Sequence, residues 1–191
     1  MARKQPQVTE QTRANLTRAF WELFLEKPVE KITVREITDR AGYNRATFYL
    51  YYRDVYDLFD QIERGVLEGI DELVSERLMS GDTLDFSQHM GVIVGLGQRF
   101  SGMLPRLLEA DPSFEQRLKK IIAPLLDRFL IPEEGLTERE QELLREFYLS
   151  GMLASISSWL SDPDGMPIER LIELIVQVAF FGSKAAAGTA S

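Results

Sequence analysis

The chain has 191 residues, enough to bury a sizeable core and about the size of one domain or of a small head joined to a larger body. It has no cysteine and one histidine, His89, which excludes disulfide scaffolds, thiol catalysis and Cys/His zinc sites and leaves any Ser/His/Asp triad a single imidazole. The net charge of −8 is divided unevenly: residues 1 to 53 hold ten Lys/Arg and six Asp/Glu, a net +4, whereas residues 54 to 191 hold twelve and twenty-four, a net −12. This asymmetry implies a basic head that meets a polyanion and an acidic body that stays in water. Neither the start, Met1-Ala-Arg-Lys-Gln-Pro, nor the most apolar stretch, Ile168 to Phe181, reads as a secretory signal or a membrane span, since the latter carries Glu169, Arg170, Glu173 and Gln177. A soluble, cytoplasmic protein is expected.

Leu16, Ala19, Phe20, Leu23 and Phe24 recur at helical spacing and predict a first helix from about Thr9 to Lys27, stopped by Pro28. Thr33-Val34-Arg35-Glu36 has capping-box spacing, with Ile32 and Ile37 placed as a hydrophobic staple, so a second helix starts at Val34. It runs to Ala41, where Gly42 supplies a left-handed residue, and Asn44 caps a third helix from Arg45 to Tyr52. Asp54 caps a long fourth helix reaching the Ser80-Gly81-Asp82 break. Further helices are predicted at about 86 to 100, 103 to 110, 113 to 130, 138 to 161 and 167 to 184. No strand pattern occurs, and the fold class is all-α, a three-helix helix-turn-helix head (1–53) on a larger helical body (54–191).

Two short helices joined by a tight glycine turn form a helix-turn-helix, whose second helix offers its N-terminal end to the DNA major groove. Phe48 is expected to point inward onto Phe20 and Ile37, leaving Arg45, Thr47 and Tyr49 outward. Arg45 suits a guanine edge, and Thr47 and Tyr49 suit phosphate or a thymine methyl. Five of the six tyrosines (Tyr43, Tyr49, Tyr51, Tyr52 and Tyr56) fall within fourteen residues, which favours a wet, amphipathic surface.

The run from Ile32 to Gly42, followed by Arg45-Ala46-Thr47-Phe48-Tyr49 and Asp57-Leu58, resembles the DNA-binding head of the tetracycline-repressor (TetR) family of bacterial regulators over about residues 9 to 60. The resemblance implies an all-helical homodimer, a DNA-reading third helix and a body that binds an inducer. It places Arg35 close to a base or phosphate and Asn44, Arg45, Thr47 and Tyr49 on the groove. The sequence departs from the family at Val55, where a phosphate-binding lysine is usual, and at Leu50 and Tyr52, so that DNA affinity is either modest or rests more on Arg53 and the N-terminal arm, whose Arg3 and Lys4 either reach an adjacent groove or serve solubility alone. The body, from Gly151-Met152-Leu153 through Trp159-Leu160 to Met166-Pro167-Ile168, is similar to a C-terminal domain of TetR-type regulators of Gram-positive type.

Gly91, Gly95 and Gly97 resemble a dinucleotide loop only superficially, since Phe100 takes the third glycine position and no strand precedes them. His89 has no partner that would make it a general base, and the carboxylates from Glu138 to Glu142 suit a capped first helical turn. No enzyme activity, cofactor or metal is expected. Phe100, Met103, Phe129, Met152 and Trp159 are the candidate lining of an apolar effector pocket, for an apolar or amphipathic small molecule. The expected partners are a double-stranded palindromic DNA operator and a second copy of the chain, joined through the helices near 138–161 and 167–184, with no membrane. The reading is a transcriptional regulator, a repressor released by a small molecule. The alternatives are a ligand-responsive coactivator of the same fold that does not bind DNA and, more remotely, a small hydrolase or isomerase.

Overall fold

A computed structural model describes residues 6–79, 95, 102–131, 135–162, 164–175 and 177–178. No strand occurs among them, and the chain divides into two compact units, Met1–Gly65 and Val66–Ser191. The predicted helix at 86–100, His89 and the glycine run from Gly91 to Gly97 lie outside the described residues, apart from Gly95.

In the first unit, α1 (Pro6–Glu26) begins three residues before the predicted start, with proline in its first turn, where a missing N–H costs nothing. Leu16, Phe20, Leu23 and Phe24 are buried along one face, and the rings of Phe20 and Phe24 stack at 5.6 Å. A single 3-10 turn, Val29–Lys31, leads to α2 (Val34–Ala41). The capping box at its start is complete: the Thr33 hydroxyl accepts from Glu36 N–H, and the Glu36 carboxylate accepts from Thr33 N–H. Ile32 and Ile37 are both buried, as a staple requires. Gly42 ends α2 at φ 75°, a left-handed conformation that a side chain would strain.

The third helix is shorter than its periodicity predicts. α3 spans Arg45–Tyr49, and Leu50 and Tyr51 form a tighter turn, with N–H bonds from Leu50 to Thr47 O and from Tyr51 to Phe48 O. Asp54 accepts from Asp57 N–H at 2.8 Å while Asp57 accepts from Arg53 N–H at 2.8 Å, so two backbone donors at the start of α4 (Val55–Leu73) are satisfied by side chains.

The boundary between the units falls inside α4, after Gly65. Within the second unit α4 continues into a π turn, Val74–Leu78, closed by Met79 N–H to Val74 O at 2.9 Å. It is followed by α5 (Leu104–Ala110), α6 (Pro112–Phe129), α7 (Glu138–Ser161) and helical residues 168–175. Asp111 caps α6 by accepting from Ser113 N–H at 2.8 Å. Thr137 and Glu140 form the predicted capping box of α7. Between α6 and α7 the ammonium of Lys119 reaches Glu146 at 2.7 Å and Ser150 Oγ at 2.8 Å, and Arg145 donates to Asp127 at 2.8 Å. Loss of water around Lys119 disfavours its charge, but hydrogen bonds to Glu146 and Glu115 outweigh that loss and raise its pKa.

Candidate nucleic-acid interface

The exposed face of α3 is set by what its other face buries. Phe48 is fully buried, and Tyr52, one helical turn on, packs a tilted ring against it at 5.3 Å. The residues between must therefore face outward. Tyr49 is 57% exposed, yet its ring meets Phe48 edge-on at 5.6 Å, which restrains a side chain that otherwise projects into solvent. Arg45 is exposed at the first helical position and forms no ion pair among the described residues.

The other predicted contacts are already engaged within the chain. Asn44 Oδ1 accepts from the backbone N–H of Thr47 at 2.8 Å and from its hydroxyl at 3.1 Å, so Asn44 and Thr47 first serve to start the helix. Arg35 donates to Asp39 at 3.4 Å, an exposed pair easily exchanged for a stronger anion. The Arg53 guanidinium projects into solvent 3.7 Å from Asp57. Asp57 has a lowered pKa, chiefly because it accepts the Arg53 N–H, and its capping carboxylate stays charged.

Two ion pairs tie the end of α1 to α2, Lys27 to Glu36 at 2.5 Å and Arg40 to Glu26 at 2.9 Å. The Lys27 ammonium, aided by the Thr33 hydroxyl and N–H, holds the Glu36 carboxyl at about 2. Tyr43 accepts from Asn15 Nδ2 at 3.1 Å, and this bond, with one from Thr12, lowers its pKa. Tyr43 and Tyr52 therefore brace the helices, and the outward tyrosines reduce to Tyr49 and Tyr56. Leu50, 63% exposed beside Tyr49, is an outward residue that the apolar pattern assigned no role.

Two further features bear on the expected head. Val55, where the resemblance expects a phosphate-binding lysine, is only 8% exposed and belongs to the core. The basic character is also local: the compact unit 1–65 holds eleven Lys/Arg and ten Asp/Glu, because Asp54, Asp57, Asp60 and Glu63 crowd the start of α4. The unit's net charge is thus +1.

In the second unit a cavity of about 190 Å³ lies among α4 and its π turn, α5, α6, α7 and residues 168–172. Of the predicted ligand-binding residues Met152 lines it, whereas Met103, Phe129 and Trp159 do not. Trp159 turns its indole N–H to Met166 O at 2.8 Å, and the Phe129 ring lies 5.1 Å from the Arg128 guanidinium. Phe100 is outside the described residues. No helical periodicity separates the residues that line this cavity, which include Val74, Leu118, Ile122 and Ile156, from ordinary core.

A second, open groove of about 310 Å³ is lined by Phe147, Gly151 and Ser155 of α7 and by Leu171, Ile175 and Val178. The last segment is apolar on two sides: Ile168 and Ile172 are buried and face the cavity, while Leu174 and Val178 remain exposed. No cluster of three metal-ligating side chains occurs, and no helix is long and apolar enough to cross a membrane, among the described residues.

Residues 16–62 match the family described as bacterial regulatory proteins, tetR family, and residues 107–180 match a transcriptional regulator C-terminal region. The chain is 25% identical over 79 residues to the uncharacterised HTH-type transcriptional regulator YxbF of Bacillus subtilis, a match covering 41% of this chain and about a fifth of that relative's length. Among solved structures it is similar to a TetR transcriptional regulator from Streptococcus agalactiae, with a TM-score of 0.67, 21% identity, and 91% of this chain and 96% of that one covered. It is also similar to the dihydroxyacetone kinase operon activator DhaS, with a TM-score of 0.60, 18% identity, and 91% and 97% covered. At these identities the two structures speak to the fold alone.

Proposed function

The chain belongs to the TetR family of bacterial regulatory proteins, non-enzymatic DNA-binding regulators that dimerise on operators, and from that premise we infer a repressor released from a palindromic operator by a small molecule. The observation that carries the reading is the outward face of α3, where Arg45, exposed and without an ion pair among the described residues, and restrained Tyr49 stand over a buried Phe48. Arg45 would read a guanine, Tyr49 a phosphate or thymine methyl, and Arg35, Thr47 and Arg53 the flanking backbone, with Asn44 keeping the helix start in register. The fold does not set the sign of regulation, since one structural neighbour bears the name of an operon activator. Repression remains the reading from the family's commoner habit.

The two-fold partner would be a second copy seated on the groove of α7 and residues 168–178. There the small residues Gly151, Ser155 and Ser158 are exposed and permit close approach. Two helices from each chain would form a four-helix interface and set two copies of α3 about 34 Å apart, one turn of DNA. An effector favouring a head spacing that misses this repeat would weaken operator binding by its own differential affinity. The working compartment would be the cytoplasm.

The test is retention of the gene's own upstream DNA by the purified chain at moderate salt, alongside sedimentation. Wild type should retain that DNA, lose it steeply as salt rises, and sediment at twice the chain mass of 21.9 kDa. Leu171→Glu, Ile175→Glu and Val178→Glu should each sediment as monomers and release DNA. A monomeric wild type at micromolar concentration refutes the interface, and salt-insensitive or absent retention favours the coactivator reading.

A further inference from the structure

We propose that the cavity of the second unit takes an unbranched hydrocarbon chain of about eight carbons as the buried part of the effector, with its polar end left outside. The proposal rests on the effector reading above and narrows it to one class of ligand. Thirteen described residues line the cavity, and every one is Leu, Ile, Val or Met. Among them no side chain can donate or accept a strong hydrogen bond, so a polar atom inside would lose its water and gain nothing. None of them offers a ring face or a charge, so a cation finds no partner and an aromatic ring gains nothing beyond its apolar area. The lining rewards buried apolar area alone.

Size and shape narrow the class further. An apolar cavity of about 150 Å³ stays dry and accepts benzene, so 190 Å³ accommodates a somewhat larger hydrocarbon, about eight carbons. It falls below the range of whole drug-sized pockets, about 300–1,000 Å³, so only part of an amphipathic ligand fits. The lining recurs at Ile70, Val74 and Leu78 along α4 and its π turn and at Met152, Ile156 and Leu160 along α7. Eight residues of helix extend about 12 Å, and so small a volume along such walls is a slot that a straight chain fills better than a ring or a branched group.

The experiment is calorimetry on the full chain without DNA, titrating n-alkanols and n-alkanoates of four to twelve carbons. Affinity should rise about fourfold per added methylene in both series, then level off near eight carbons. Equal slopes for the two head groups mean that the head stays outside. Benzyl alcohol and tertiary-branched isomers should bind at least tenfold more weakly than the straight chain of equal carbon number. Ile122→Phe should move the break to a shorter chain, and Ile156→Phe provides the same readout from α7 if Ile122→Phe fails to fold. Absence of binding at every length, a rise that continues past twelve carbons, or equal affinity for the aromatic probe would overturn the proposal. DNA retention measured separately keeps the two readings apart. Chains that bind as expected but leave retention unchanged remove the effector role and keep the site, whereas DNA binding without any chain binding removes the site alone.

Discussion

The first unit and the second put apolar residues to opposite uses. In the unit ending at Gly65, Phe20, Phe24, Ile37 and Phe48 fill the interior, and the candidate chemistry sits on exposed side chains held over them. In the unit from Val66, residues of the same kind stop short of filling the interior, and the candidate chemistry is the space they enclose. α2 and α3, at eight and five residues, are too short to persist alone and depend on their caps and on a full core. The long α6 and α7 have helix to spare and tolerate a void. A face that reads a polymer needs fixed donors, whereas a chamber that admits a small molecule needs room.

The harshest way to break this comparison is Phe48→Ala, expected to cost about 3–5 kcal/mol because a filled core cannot relax around so large a loss. The chain has two tryptophans, Trp21 in the first unit and Trp159 in the second, so Trp159→Phe and Trp21→Phe backgrounds report each unit alone during urea unfolding. The Trp21 transition should move to lower urea and the Trp159 transition should hold. If both move together, the units share one core and the contrast fails.

Arg45→Ala tests the exposed-chemistry half. It should cost about 1–3 kcal/mol at one base position and relax specificity there. Lys31→Ala should weaken all sequences alike and reduce the salt slope by about one unit. Unchanged binding curves for Arg45→Ala and Tyr49→Ala would remove α3 from the DNA.

Asn44 separates structure from recognition. Asn44→Ala should lose about 1 kcal/mol of stability with the helix cap, and Asn44→Ser should restore it. Any DNA affinity still missing in Asn44→Ser belongs to a direct contact, and full recovery makes Asn44 a positioning residue only.

The smallest effect is a pH dependence. The carboxyl of Glu36 titrates at about 2 in the folded chain, against an ordinary 4.5, so folding favours its charged form. Its contribution is complete above pH 4.5 and is lost as the pH falls from there towards about 2. The Trp21 transition should therefore lose stability over that window more steeply than it does in Glu36→Gln. Parallel pH profiles for the two proteins would show that the Lys27 pair does not matter to the fold.

Much of the first unit was legible because its signals are local. Thr33 with Glu36, Gly42, Asn44 and Asp54 each act on backbone groups within four residues, and each does what its spacing predicts. The same holds for Thr137 and Glu140 at the start of α7. The end of α3 is not legible in the same way, because periodicity continues through Tyr52 while the chain tightens at Leu50. Val55 was legible as a departure from a family pattern but not as a core residue, since burial at the first position of α4 depends on what packs over it.

By itself, then, the sequence determined the helices of the head, their caps, the outward set of Arg45 and Tyr49, and a last segment too apolar for one face. Only the tertiary structure decided that Trp159 satisfies its indole on Met166 while Ile156, three residues before it, faces a cavity. It also decided that the compact head carries a net +1 where the first 53 residues suggest +4. The reason is one of range. A cap is a bond between neighbours in the chain, whereas a cavity is what remains after segments as far apart as Ile70 and Ile172 have packed, and the side chains that enclose it differ in no chemical respect from those that fill a core.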